Sequence, residues 1–225
     1  MSIVKTVMLL GMVATTATVL TGCLDHDTVD GEVIPQIQTL ATFDGNNLDG
    51  ARFSYIPQGD DPMLTLQAEV NVDTVLIHPG NRILLTYQPL QDAGRIKIIS
   101  AARINGGVLK FEDTDALQGW DADPLFVESL WRTGNYINLR CKILWTPDTR
   151  RYSLEADSTT LNTDLPDVYV AHAIADTTDR TNAYMVANYA SFDISELWSR
   201  PTVRGIKVHV NNSNLPDKTE FTFMK

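Results

Sequence analysis

The chain is poor in cysteine, with two in 225 residues, and it has no run of basic residues longer than the pair Arg150-Arg151. Two cysteines cannot build a disulfide framework. Binding to a phosphate backbone needs a basic stripe that releases counterions, so a chain of formal net charge −10 is not a nucleic-acid binder. The common signatures of catalysis are missing too. No Gly-x-Ser-x-Gly elbow, His-Glu-x-x-His pair, Gly-Lys-Ser/Thr phosphate loop or Cys-x-x-Cys pair occurs. These absences lead to the expectation of a protein without catalytic residues, bound metal or cofactor. Helical periodicity is also nearly absent, which points to an all-β chain.

What is present begins at the N-terminus. Residues 1–22 carry one basic residue, Lys5, followed by the apolar run Val7 to Leu20 and small residues. This is the plan of a secretory signal, and the run is too short and too rich in threonine to span a bilayer. It closes on Leu20-Thr21-Gly22-Cys23, which resembles the lipobox of bacterial lipoproteins. The resemblance implies that Cys23 is acylated and becomes the new N-terminus, with the membrane as partner through the lipid. Each buried methylene contributes about 0.8 kcal/mol, so one acyl chain holds weakly and several hold durably. Residues 23–35 are acidic, with Asp25, Asp27, Asp30 and Glu32, and have no periodicity. They read as a flexible tether. Acids directly after the lipidated cysteine also resemble signals that send Bacteroidetes lipoproteins to the outer face of the outer membrane. The expected location is the outer membrane, on its surface or periplasmic side.

Beyond the tether, period-2 segments follow one another, separated by turn residues. Strands are expected near 37–43, 52–56, 63–69, 82–88 and 95–103. Five strands in that length suit a small OB-like barrel, which leaves no free sheet edge. The charged stretch Phe111 to Gly119 breaks the alternation. The expected division is therefore a barrel over 36–112, a linker over 113–119 and a second domain over 120–225. Seven further strands, near 124–131, 136–145, 152–155, 168–174, 184–192, 205–210 and 219–224, suggest an antiparallel β-sandwich. One helical turn is expected at Ser195 to Ser199. In the second of these strands, Ile137, Leu139, Cys141, Ile143 and Trp145 share one face, with Asn138, Arg140 and Lys142 opposite. Cys141 thus reads as a small core residue.

Several segments resemble the NigD-like lipoproteins of Bacteroidetes: Arg82-Ile83-Leu84-Leu85-Thr86-Tyr87 with Ile96-Lys97-Ile98, Leu125 to Leu139, Ser191-Phe192-Asp193-Ile194-Ser195, and Lys218 to Phe223. The resemblance covers the chain beyond the signal and implies an OB-like first domain followed by a β-sandwich. It implies fold and location rather than a reaction, and the family name reflects association with a bacteriocin locus. An immunity or export accessory role is one alternative, and a structural lipoprotein of the envelope is another.

Among side chains that could carry function, Trp120 and Trp198 stand in polar or turn-rich surroundings, where exposed indoles could contact a glycan or protein partner. Trp145, on the apolar face of its strand, reads as core. His172 shares a face with Val168, Val170 and Ile174, so it is either a hydrogen-bonded core residue or part of a site. His209 alternates with Val208 and Val210 and should face solvent. Asp44 to Gly50 collects oxygen donors around glycines, yet Leu48 stands where a calcium loop needs a ligand, so a plain turn is expected. The acids Asp113, Asp115, Asp121 and Asp123 lack the contrasting environments a glycosidase pair needs. Four tripeptides resemble the acceptor of Bacteroidetes protein O-glycosylation: Asp27-Thr28-Val29, Asp73-Thr74-Val75, Asp157-Ser158-Thr159 and Asp176-Thr177-Thr178. Thr28, in the tether, is the favoured one. The expectation as a whole is a lipid-anchored envelope protein that displays a binding surface to an outer-membrane protein or glycan.

Overall fold

The computed structural model describes residues 35–145, 150–174 and 184–225. The signal, Cys23, Thr28 and nearly all of the tether lie outside the described residues, as does Asp176-Thr177-Thr178.

Five strands close a barrel in the order β1-β2-β3-β5-β4, with β4 returning to β1: β1 Ile37–Asn47, β2 Gly50–Tyr55, β3 Leu64–Ala68, β4 Arg82–Pro89 and β5 Arg95–Arg103. Alternation sends Ala41, Phe43, Phe53, Leu66, Ile83, Leu85, Tyr87 and Ile96 inward, and the rings of Phe43 and Phe53 meet at 5.6 Å. Register shifts at Phe43/Gly45 and Thr86/Tyr87 are bulges, which bend strands enough to close so small a barrel. The oxygen-rich loop is a tight turn, as expected. Asn47 Oδ1 accepts from the Asp49 amide at 2.8 Å, and Leu48 projects fully into solvent. At Gly50, with φ +116°, a Cβ would lie 2.2 Å from Ala68 O, so β2 and β3 pair there only around a glycine.

The sandwich consists of a four-stranded sheet, β6-β12-β9-β8, and a five-stranded sheet, β14-β13-β11-β10-β7. Its strands are β6 Asn105–Val108, β7 Lys110–Glu112, β8 Phe126–Thr133, β9 Tyr136–Leu144, β10 Arg151–Asp157, β11 Asp167–Ala173, β12 Met185–Asp193, β13 Gly205–Val210 and β14 Glu220–Met224, with helix α1 at Ser195–Trp198. The β8-β9-β12, β10-β11 and β13-β14 ladders are antiparallel, and β6-β12, β7-β10 and β11-β13 are parallel. Ile137, Leu139, Cys141, Ile143 and Phe192 face Leu154, Val168, Val170, Ile206 and Val208 across the core.

The boundary differs from the one expected. Residues 105–112, read as the end of a barrel domain reaching 112, pair entirely within the sandwich. Strands of four and three residues containing Gly106-Gly107 carry no alternation to recognise. Gly106, with φ +144°, is required because a Cβ would lie 1.9 Å from Ser191 O on β12. Leu109 alone separates β6 in one sheet from β7 in the other, and it is buried in the core. Residues 113–119, expected as a linker, form turns closed by bonds from the Ala116 and Leu117 amides to Asp113 O, with Leu117 buried. Barrel and sandwich together, from Pro35 to Lys225, form one compact unit.

The barrel packs on the polar face of β9 and its neighbours. Asn138 is fully buried and is the hub of the contact. Its Oδ1 accepts from Ser191 Oγ at 2.8 Å and from Arg82 Nη2 of the barrel at 3.3 Å, and its Nδ2 donates to Thr133 Oγ1 at 2.9 Å. Arg82 also donates through Nε to Ser191 Oγ and through Nη1 to Thr42 Oγ1, and lies 4.3 Å over the Tyr136 ring. A second attachment clamps the loop between β2 and β3. Buried Arg132 donates to both oxygens of Asp60, at 2.6 and 2.5 Å, while the Gly59 amide donates to Arg132 O and the Gly134 amide to Gly59 O.

The Arg132 guanidinium, chiefly through its hydrogen bond, holds the Asp60 carboxyl below its ordinary value of 3.8. A carboxyl lowered by folding stabilises the protein above its unfolded pKa, and that contribution is lost as pH falls through the lower folded value. Asp60→Asn is expected to lower the melting temperature at pH 7 and to flatten its fall below pH 4. Because Arg132 is left buried with a poorer acceptor, the loss should be on the order of 1–3 kcal/mol. Thermal melts of both proteins from pH 2.5 to 7 check this.

Candidate binding cleft

The bulge between Val127 and Ser129 resets the alternation of β8. Val127 and Leu130 point into the sandwich core, and Ser129, Trp131 and Thr133 fall on the face toward the barrel, opposite Arg140, Asn138 and Tyr136 of β9. Tyr189 of β12 pairs with Arg140 and lies on the same face. Gln38, Thr39 and Leu40 of β1, Leu84 of β4 and the loop residues Ile56 and Pro57 close the other side, leaving a cleft of about 360 Å³ between the modules. Such a volume is within the range of small-molecule sites, and its walls mix aromatic area with a few placed polar groups, as ligand sites do.

The polar groups are held by each other. Tyr189 Oη donates to Gln38 Oε1 at 3.1 Å, and Gln38 Nε2 donates to Thr86 Oγ1 at 3.3 Å. Arg140 Nε donates to Glu128 Oε2 at 2.8 Å and Lys142 Nζ approaches Glu128 Oε1 at 3.0 Å. These two cations, Lys142 foremost, keep the Glu128 carboxyl below the usual glutamate range. The cleft therefore offers half-buried Trp131 and Tyr189 beside an amide, a guanidinium and hydroxyls. Stacking on a ring and hydrogen bonding around its rim are both possible there.

The tryptophans singled out in the sequence lie elsewhere, and one of them is not a surface residue. Trp198 is only 9% exposed, because α1 turns Leu197 and Trp198 inward and Arg132 covers the indole at 4.6 Å. Trp120 is half-buried against Tyr169 at 5.2 Å, and Tyr169 in turn stacks on His209 at 4.7 Å. Trp120 lines a different, smaller cleft of about 190 Å³ with Ser153, Glu155 and His172, so the two indoles do not share a groove. Trp145 reverses the expectation for its strand: β9 ends at Leu144, and Trp145 is 47% exposed, stacked on Tyr184 at 5.6 Å. The aromatic residue of this cleft that the sequence reading missed is Trp131, and its signal is an alternation that fails at Glu128-Ser129.

The remaining candidates are structural in their contacts. His209 is only partly open to solvent, with Nε2 2.8 Å from Asp167 Oδ1. Buried His172 lies between Asp123 O, 3.1 Å from Nδ1, and Arg150 Nη1, 3.2 Å from Nε2, with its ring on Tyr152. Asp123 Oδ2 accepts from the Ile174 amide and Asp113 Oδ1 from Ser158 Oγ, so these acids tie down backbone and turns. Of the described glycosylation-like hydroxyls, Thr74 is exposed and Ser158 is half-buried.

A closed five-stranded barrel docked on the polar face of a two-sheet sandwich defines a class of two-module, all-β proteins. Residues 108–223, just over half of the chain, match the model of the NigD-like C-terminal β-sandwich domain, and the chain belongs to that NigD-like family. Comparison with curated proteins finds no match. Among solved structures, it is similar to a NigD-like immunity protein from Bacteroides caccae (15% identity, TM-score 0.55, covering 83% of this chain and 91% of that one). It is similar also to a protein of unknown function from Bacteroides vulgatus (15%, 0.58, 85% and 90%) and to a candidate lipoprotein from Bacteroides fragilis (10%, 0.56, 85% and 96%). Identities this low speak for fold alone, and coverage above four-fifths means that barrel and sandwich are both shared.

Burial pushes the Cys141 thiol up to about 11, and the thiolate is the reactive form. In a Cys23→Ala variant, where Cys141 is the only thiol, iodoacetamide at pH 8 should label the folded protein negligibly and the denatured protein fully. Mass spectrometry of the two samples reads this directly.

Proposed function

We propose that the protein is a lipid-anchored component of the bacterial envelope that binds a glycan in the cleft between barrel and sandwich and carries out no reaction on it. The observation that carries the reading is Trp131 and Tyr189 facing one cleft beside Gln38, Arg140 and Ser129. Indole and phenol faces stack on the apolar faces of sugar rings, and amide and guanidinium groups hydrogen-bond the hydroxyls around them. Glu128, tied to both Arg140 and Lys142, stays ionised and is a poor proton donor, which favours binding over hydrolysis. The anchor is supported by Leu20-Thr21-Gly22-Cys23 and by similarity to the candidate lipoprotein. The acidic tether would hold the folded part away from the membrane, with display as the mechanism.

A second reading, an accessory to bacteriocin immunity or export, is favoured by similarity to the NigD-like immunity protein. Deletion of the gene with no change in bacteriocin production or sensitivity would exclude it.

Two measurements test the main reading. Cys23→Ala should move the protein from the membrane to the soluble fraction, and protease added to intact cells should shave the wild type if it faces outward. In affinity electrophoresis against a panel of envelope and dietary polysaccharides, Trp131→Ala should weaken retention at least tenfold, about 1.4 kcal/mol, with an unchanged melting temperature. Retention by no polysaccharide, or retention indifferent to Trp131, would leave a protein partner as the better reading.

A further inference from the structure

A second cleft, of about 250 Å³, opens on the other side of Asn138. Thr133, one bond from the Asn138 amide, lines the cleft described above, and Ser191, one bond from its carbonyl, lines this one. Its walls hold Arg82, Arg103, Tyr136, Asn105, Ser191 and Asp193. Three features make it more than a gap between modules.

Arg82 is the first. Its guanidinium has five N–H donors, and its three bonds go to neutral oxygens, at 3.1, 3.3 and 3.3 Å. No carboxylate lies within ion-pair distance of it among the described residues. Two donors remain for a ligand. Burial pulls its pKa down to about 10, opposed by the electrostatic influence of Tyr136. A desolvated cation with only neutral acceptors is a costly arrangement, and an anion in the cleft would relieve it.

Arg103 is the second. It is exposed at the cleft wall, and its side chain makes no hydrogen bond or ion pair with the described residues. The third is the balance of charge. Asp193 is the acid in the wall, and its Oδ1 is taken up by the Ser195 amide at the start of α1, at 2.8 Å. Two guanidinium groups against one carboxylate leave a single positive charge. A monoanion balances it, whereas a dianionic phosphate would leave excess negative charge beside Asp193. A flat carboxylate also matches the planar fork of arginine.

We propose that this cleft is a carboxylate-binding site, in which Arg82 and Arg103 together hold a small monoanionic carboxylic acid of about monosaccharide size. It is distinct from the Trp131 cleft and does not depend on the reading given to that one.

The test uses the full-length protein in detergent, with melting followed by intrinsic fluorescence at fixed ionic strength. Sodium glucuronate is the probe, glucose the uncharged control, and sodium chloride and phosphate the competing anions. Glucuronate should raise the melting temperature saturably, with half-effect at millimolar concentration or below, while glucose and chloride do not. Arg103→Gln, which removes no contact within the fold, should weaken the half-effect at least tenfold, and Trp131→Ala should leave it unchanged. Arg82→Lys should also weaken it if that variant folds, but the conclusion rests on Arg103. A shift matched by chloride, a response indifferent to Arg103→Gln, a response lost in Trp131→Ala, or phosphate acting as strongly as glucuronate would each overturn the proposal.

Discussion

The buried amide of Asn138 is the constraint on which the two-module arrangement depends. It sits in the middle of a sheet face that is polar by sequence and would serve as a solvated surface in an isolated sandwich. Docking a barrel against that face removes it from water, and every donor and acceptor so enclosed must find a partner or cost on the order of 1–3 kcal/mol. Asn138 meets this by accepting twice and donating once, to groups from β4, β8 and β12. The barrel is oriented so that Arg82 lies over Tyr136 and within reach of Asn138 and Ser191. Arg132, next to Thr133 at the same end of β8, secures the same placement through Asp60.

A polar junction leaves space. Apolar modules collapse onto one another, whereas hydrogen-bonded ones meet at a few directed contacts with room between them. The two junction clefts exist for this reason, one rich in aromatic area and the other in positive charge. Function placed at a junction of this kind needs both modules. The similar structures from Bacteroides retain the pair together over most of their length, and separate conservation of either module would not keep the clefts.

Elements with long, clean alternation were legible in the sequence. Arg95–Arg103 and Gly205–Val210 have the bounds expected of them, and the alternation of β9 placed Ile137, Leu139, Cys141 and Ile143 in the core. Where period and context part company, the reading failed. The β6 and β7 strands are too short to show a period, and β6 is half glycine, so the barrel was drawn too long. Trp198 follows a polar turn, yet one helical turn carries it inward. Trp145 continues an apolar face past the point where its strand ends. The polar face of β9 shows the deeper limit. Asn138 and Arg140 stand opposite the apolar face in the sequence, and nothing local reports that another module will cover them. The aromatic cleft was hidden for a related reason: a bulge on β8 exchanges the faces of the residues after it, and Trp131 changes sides.

The crossing at Leu109 bears on the order in which the molecule can be made. All ladders of the barrel lie within residues 37–103, so that module can close as soon as its own strands exist. Residues 105–112 cannot. Strand β6 awaits β12, about eighty residues further on, and β7 awaits β10. Loop closure over such separations is slow, and until it occurs a finished barrel carries two unpaired strand edges behind it, the kind of edge that recruits other chains. The junction is therefore the last part to set, and the interval before β12 arrives is when those edges most need their neighbours kept away.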